Sequence, residues 1–142
     1  MEKMLINEKL ENLKKYYNYL RNYQGCSIQE LKNNPTLQGA VRYYLQVACE
    51  CIIDISEIII SALGLPRPDT ARDSILTLSK EGIVPEDFGV KISKMAGLRN
   101  ILVHEYAAVD IDRIFHILHE DIDDFSKFAQ YIADWLKKFK PA

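Results

Sequence analysis

From Asp110 onward the chain carries Ile111, Phe115, Leu118, Ile122, Phe125, Ala129, Ile132, Leu136 and Phe139, apolar residues that alternate steps of four and three without a break. At 3.6 residues per turn those steps keep one face of a helix, so this stretch reads as one long amphipathic helix with Asp110 as its N-cap. A seam of about four heptads cannot stay in water; it needs another helix laid along it. That requirement makes an all-α bundle the expected fold, with two long helices as its spine.

The second spine helix begins at Asn34-Pro35, an N-cap and first-turn pair, and runs to about Leu63. Val41, Leu45, Ala48, Ile52, Ile55, Ile59 and Ala62 form one apolar stripe on it, and Ala40, Tyr44, Val47, Cys51 and Ile58 a second. Apolar surface that wide implies packing on several sides, a partner subunit included. Between the stripes runs a polar line of Arg42, Gln46, Glu50, Asp54, Glu57 and Ser61, which either faces water or lines a functional groove. Ahead of it, Ile6, Leu10, Leu13, Tyr17 and Leu20 make an amphipathic helix that stops near Gly25, and Ser27 with Glu30 has capping-box spacing. Thr70 with Asp73 opens a third helix ending near Gly82, and Pro85-Glu86-Asp87 begins a fourth. The expectation is an antiparallel bundle of about five helices forming a single domain over 1–142.

Composition narrows the function. A formal charge of −2 argues against a surface that coats nucleic acid broadly, because such affinity comes from many phosphate-neutralising cations. The charge is not evenly spread, however: Phe88 to Val103 has no acid and carries Lys91, Lys94 and Arg99. Cys26, Cys49 and Cys51 make no even framework and read as thiols of a reduced compartment. The start is charged throughout, and no run of about 20 apolar residues is present, so the expected location is cytoplasmic, with no membrane partner. Lys14, Lys15 and Arg21 interleave with Tyr16, Tyr17, Tyr19 and Tyr23, which fits a tyrosine packing face or an RNA-stacking one. His116 and His119, among Glu120, Asp121, Asp123 and Asp124, read as a solvated acidic face, with a divalent-metal site as the alternative. The sequence leads to the expectation of no metal and no cofactor.

Chemically able groups concentrate in Arg99-Asn100-Ile101-Leu102-Val103-His104-Glu105-Tyr106. Arginine offers a permanent cation that forks onto phosphate, and histidine exchanges protons near neutral pH. On an ideal helix Arg99 and Tyr106 fall within roughly 20° of each other, whereas Arg99 and His104 diverge by about 140°. The helix must therefore end or distort before His104, or a second copy must complete the set. RNA cleavage by the substrate's own 2′-hydroxyl needs proton transfer at two oxygens, and one motif histidine per chain points to a two-fold site.

This stretch resembles the R-x4-H-x-Y signature of the HEPN superfamily, specifically of the HepT toxins. Arg42-Tyr43-Tyr44-Leu45-Gln46-Val47-Ala48, Asp54-Ile55, Gly82-Ile83 and the helix after Asp110 fall where HepT-like chains have similar elements. Glu57 stands where some relatives carry a polar residue such as histidine, and it receives no role. The resemblance implies a HEPN-like bundle and a metal-independent endoribonuclease toxin acting as a homodimer on RNA. Arg99, His104 and Asn100 are the expected catalytic set, with Arg42, Asp54 and Lys94 as supporting residues. It also implies an antitoxin of the MNT nucleotidyltransferase type, in a hetero-oligomer, that silences the toxin by AMPylating Tyr106. Two other readings stay open: a non-catalytic nucleotide- or substrate-binding partner of such a transferase, and a helical oligomerisation unit whose Arg99 and His104 pair with acids.

Overall fold

The computed structural model describes residues 2–103 and 110–139. Their helices are α1 (Glu2–Tyr23), α2 (Ile28–Asn33), α3 (Pro35–Ala62), α4 (Ala71–Lys80), α5 (Glu86–Ala96), α6 (Leu98–Val103), α7 (Ile111–His116) and α8 (Asp123–Lys138), with a π-helical turn over Ile117–Asp121. Among the described residues, no helix is long and apolar enough to cross a membrane.

Local chemistry sets most boundaries where the sequence places them. The Ser27 hydroxyl accepts from the Glu30 amide while the Glu30 carboxylate accepts from the Ser27 amide, closing a capping box at α2. Asn34, Thr70 and Asp110 cap α3, α4 and α7 through their side-chain oxygens. At the other ends, α3 and α4 stop on Gly64 and Gly82, with φ of +69° and +74°. The Leu65 amide reaches back to the Ile60 carbonyl and the Ile83 amide to that of Leu78, so both exits are Schellman turns that need the left-handed glycine.

Helices α1 and α3 run antiparallel as the main pair. Lys9 meets Asp54 near one end, and Tyr16, Tyr19 and Tyr23 meet Tyr44 near the other. The tyrosine-rich face thus packs ring on ring across this pair, with Tyr43 left 52% exposed at its edge. The core continues through Ile6, Leu13, Leu45, Ile52, Ile55, Ile75 and Leu78 to Phe125, Phe128 and Ile132.

Two details differ from the sequence reading. The long C-terminal helix is not uniform, because its buried row runs Ile114, Leu118, Ile122, Phe125. Two successive steps of four advance an α-helix about 80° past two full turns, and the widened π turn takes that rotation back so that Ile122 still points inward. Nor does α8 lie along α3. Its close backbone neighbour is α1, because α3 is already covered by α1, α4, α5 and α6.

Candidate active site

The short helix α6 carries the first half of the motif. It follows α5 after a break at Gly97, whose backbone stays right-handed and whose amide still donates to the Ser93 carbonyl. A Cβ at Gly97 would stand 3.3 Å from the Lys94 carbonyl oxygen, so the crowding that the glycine relieves comes from its own preceding turn. Leu98 and Leu102, one turn apart, are buried and fasten α6 to the core. Asn100, Ile101 and Val103 are exposed as a consequence, the two apolar ones by 38% and 46%.

Arg99 falls between those faces and is half-buried. Its Nε is shut off from solvent and has no hydrogen-bond partner among the described residues. Beneath it lies the wholly buried Cys49 of α3, whose thiol donates to the Met95 carbonyl across 3.5 Å. Burial pushes that thiol up to about 12, and the Arg99 cation pulls in the opposite direction, which places the guanidinium charge within reach of Cys49. Arg42 lies seven residues earlier on α3, on nearly the same face as Cys49 and about 10 Å along the axis. Its Nε is likewise buried without a partner among the described residues. An orphaned buried donor costs free energy, so each of these two arginines, one on α3 and one on α6, keeps a donor that the described residues leave unsatisfied.

The other expected residues divide. No hydrogen bond joins Asn100 to Arg99 among the described residues, so its amide is free to turn outward to a ligand. Lys94 is exposed and has no ion-pair partner among the described residues. Asp54 is engaged elsewhere: it accepts from Lys9 of α1 at 3.0 Å, and that bond holds the lysine above its ordinary range. With Arg42 about 18 Å away along α3, the two do not form one subsite. His104 and Tyr106 lie outside the described residues.

Sequence reasoning missed Cys49 as the floor under Arg99, because nothing in the spacing of a lone buried cysteine connects it to a residue 50 positions later. The alternative metal site at His116 and His119 is not formed. His119 Nδ1 is bonded to the Phe115 carbonyl at 3.0 Å with its ring on Phe115, and no cluster that could hold a metal occurs among the described residues.

The family model described as ribonuclease HepT-like matches residues 6–132. The mRNA nuclease HepT of Shewanella oneidensis is 32% identical to this chain, over 93% of it and 98% of the relative. The tRNA nuclease HepT of Aphanizomenon flos-aquae is 25% identical, over 96% and 92% respectively. Among solved structures, the tri-AMPylated Shewanella oneidensis HEPN toxin in complex with an MNT antitoxin superposes with a TM-score of 0.82 at 29% identity, covering 91% of this chain and 96% of that one. A chain that carries R-x4-H-x-Y, with its arginine on an apolar-anchored helix, is thus matched along nearly its whole length: it belongs to the ribonuclease HepT-like family.

Proposed function

We propose that this protein is a metal-independent endoribonuclease toxin, one cytoplasmic domain over 1–142 that acts as a homodimer and is paired with an MNT-type nucleotidyltransferase antitoxin. The observation that carries the reading is the half-buried Arg99, whose Nε is unpartnered among the described residues, five residues before the motif histidine. Support comes from the relatives, which are nucleases of mRNA and tRNA, and from a HEPN toxin held by an MNT antitoxin.

The chemistry assigned to the residues is a transfer within the substrate. His104 of one protomer takes the proton of the ribose 2′-hydroxyl, the oxygen attacks phosphorus, and the P–O5′ bond breaks to leave a 2′,3′-cyclic phosphate. His104 of the other protomer protonates the departing 5′-oxygen. Arg99 grips the non-bridging oxygens and offsets charge as the transition state forms, with Asn100 donating a further hydrogen bond there. Arg42 adds a second guanidinium, Lys94 a cation at the approach, and Asp54 only a weak brace between α3 and α1 through Lys9. The exposed Ile101 and Val103 beside Arg99 are the apolar surface a second protomer would cover.

Tyr106 is the assigned modification site. AMP units on a tyrosine two positions past His104 would set phosphate beside Arg99 and compete with RNA for it. The test is RNA incubated with purified protein in chelator. Cleavage by the wild type and none by His104→Ala supports the reading, and equal cleavage by both ends it. Mass spectrometry after co-expression with the transferase should find Tyr106 adenylylated; an inactive pair with unmodified Tyr106 would contradict that part.

A further inference from the structure

One end of the bundle is cationic although the whole chain carries a formal charge of −2. Residues 12–49 contain a single acid, Glu30, against Lys14, Lys15, Arg21, Lys32 and Arg42. They form the second half of α1, α2 and the first half of α3, and the antiparallel pairing of α1 with α3 brings those halves together. Three of the cations turn to other parts of the fold: Lys32 pairs with Asp112 at 3.4 Å, Arg21 lies over the Tyr17 ring, and Lys14 stands toward α8. Lys15 has no carboxylate partner among the described residues, and its Nζ is 5.6 Å from the centre of the Tyr16 ring and 5.9 Å from that of Tyr19. At that range the rings attract the ammonium and hold it over them.

The same end is aromatic. Tyr16 has the rings of Tyr19, Tyr43 and Tyr44 around it, with centroids at 5.5, 6.0 and 5.8 Å. Tyr44 continues inward to Tyr23, whereas Tyr43 is 52% exposed. Tyr43 meets Tyr16 at a steep 71°, so it is held by an aromatic neighbour that does not cover it. The residue before it on α3 is Arg42, whose Nε has no partner among the described residues. Tyr43 itself stands about 120° around the helix from Cys49, the residue that feels the Arg99 charge, so this surface is separate from the pocket of the motif arginine.

We propose that Tyr43, buttressed by Tyr16 and flanked by Lys15 and Arg42, is a stacking platform for a base of single-stranded RNA, with the neighbouring phosphates on the two cations. A fixed, half-exposed ring beside unpaired cations is what sequence-tolerant single-strand binding uses, because every base has a π-face. Charge favours this occupant over a second copy of the chain: in a two-fold contact the patch would meet itself and set cation against cation. The platform anchors the strand and takes no part in the chemistry. The inference rests on the nuclease reading for the ligand being the substrate, but it can fail separately.

The test is the anisotropy of a labelled single-stranded oligoribonucleotide titrated with His104→Ala protein carrying, in turn, Tyr43→Leu, Tyr43→Phe and Lys15→Ala. Tyr43→Leu keeps apolar bulk without a flat ring and should weaken binding at least about fivefold, the low end of what one base–aromatic stack contributes, whereas Tyr43→Phe should stay within about twofold of its parent. Lys15→Ala should lower the salt slope by about 0.7, one single-strand phosphate contact, and Tyr43→Leu should leave that slope alone. Should Tyr43→Leu disturb folding, Tyr43→His, which retains a smaller ring and is compared at equal melting temperature, takes its place and should weaken binding less. Equal affinity for Tyr43→Leu and its parent overturns the platform. So does a loss of affinity that accompanies a change of oligomeric state in sedimentation, which would give the patch to a second copy, or an unchanged RNA affinity with lost binding of the transferase, which would give it to a protein. Cleavage is scored on the His104-intact protein, where Tyr43→Leu should raise KM and leave kcat in place. If that protein cleaves RNA while the Tyr43 variants bind like their parent, the platform alone falls; if it never cleaves while Tyr43 still governs binding, the nuclease reading falls and the platform stands.

Discussion

The Cys49 thiol donates to the Met95 carbonyl one turn ahead of Arg99, and this bond ties the end of α5 to the centre of α3. The cysteine is the floor on which the arginine's helix rests. Its thiol is raised by burial to about 12, so the folded protein favours the neutral form. Stability from this group is fully present below the ordinary thiol value near 9 and is lost as pH rises through the folded one. Iodoacetamide at pH 8 should label the half-exposed Cys26 first and reach Cys49 only in denaturant. Mass spectrometry of the native protein showing early alkylation of Cys49 would contradict the placement.

Arg99→Ala should abolish cleavage without loss of stability, the reverse of what a structural arginine would do. The wild-type guanidinium keeps a buried Nε without a partner among the described residues, and its removal relieves a cost of about 1–3 kcal/mol, offset by lost packing of the side-chain stem. Arg99→Lys keeps the charge but not the fork and should lose about 100-fold in kcat. Paired melting curves and single-turnover cleavage check both. A fall of several degrees in Tm with Arg99→Ala would show that the arginine is held by contacts the fold depends on.

Much of this was legible in the sequence because caps and stripes are local. Ser27, Asn34, Thr70 and Asp110 cap the helices expected of them, and Gly64 and Gly82 stop α3 and α4. The motif arginine was legible for the same reason, as part of one contiguous stretch. What periodicity could not give is which stripe meets which. The last helix pairs with α1 because the apolar faces of α3 are already taken by α1, α4, α5 and α6, a fact about volume rather than spacing. The partner of Asp54 was hidden likewise, since Lys9 is 45 residues away and carries no local sign of the match. Lys94 and Arg113 share a cavity only because the chain turns back between them.

The Lys9–Asp54 pair should matter little to stability. Both side chains are more than a third exposed, at 37% and 43%, and solvent screening holds such a pair to about 1 kcal/mol or less. Lys9 is raised by its bond to Asp54, so its contribution is complete below the ordinary lysine value and disappears as pH climbs through the raised one. Asp54→Asn should therefore lower stability slightly at pH 7 and by less at a pH above the ordinary lysine value. Urea melts at both pH values check this, and an equal loss at each would mean that Asp54 acts through something other than the lysine.

Gly89 gives a sharper stability prediction, because it governs how closely α4 and α5 approach. A Cβ there would lie 2.8 Å from Ser79 Oγ and 2.9 Å from Ser79 Cβ. The hydroxyl could rotate away, but the Cβ is fixed to the α4 backbone and moves only if the helix moves. In an open helix Gly→Ala would gain up to about 1 kcal/mol; here overpacking of about 1–3 kcal/mol opposes it, so Gly89→Ala should be net destabilising. Gly89→Ala with Ser79→Gly removes the obstructing atoms and should recover most of the loss, as a double-mutant cycle in urea would show. Because α5 leads into α6, the single variant should also cleave RNA more slowly than its stability alone explains, and the double variant should regain that rate. Gly89→Ala with undiminished stability would mean that α4 and α5 are further apart than the Ser79 contact requires.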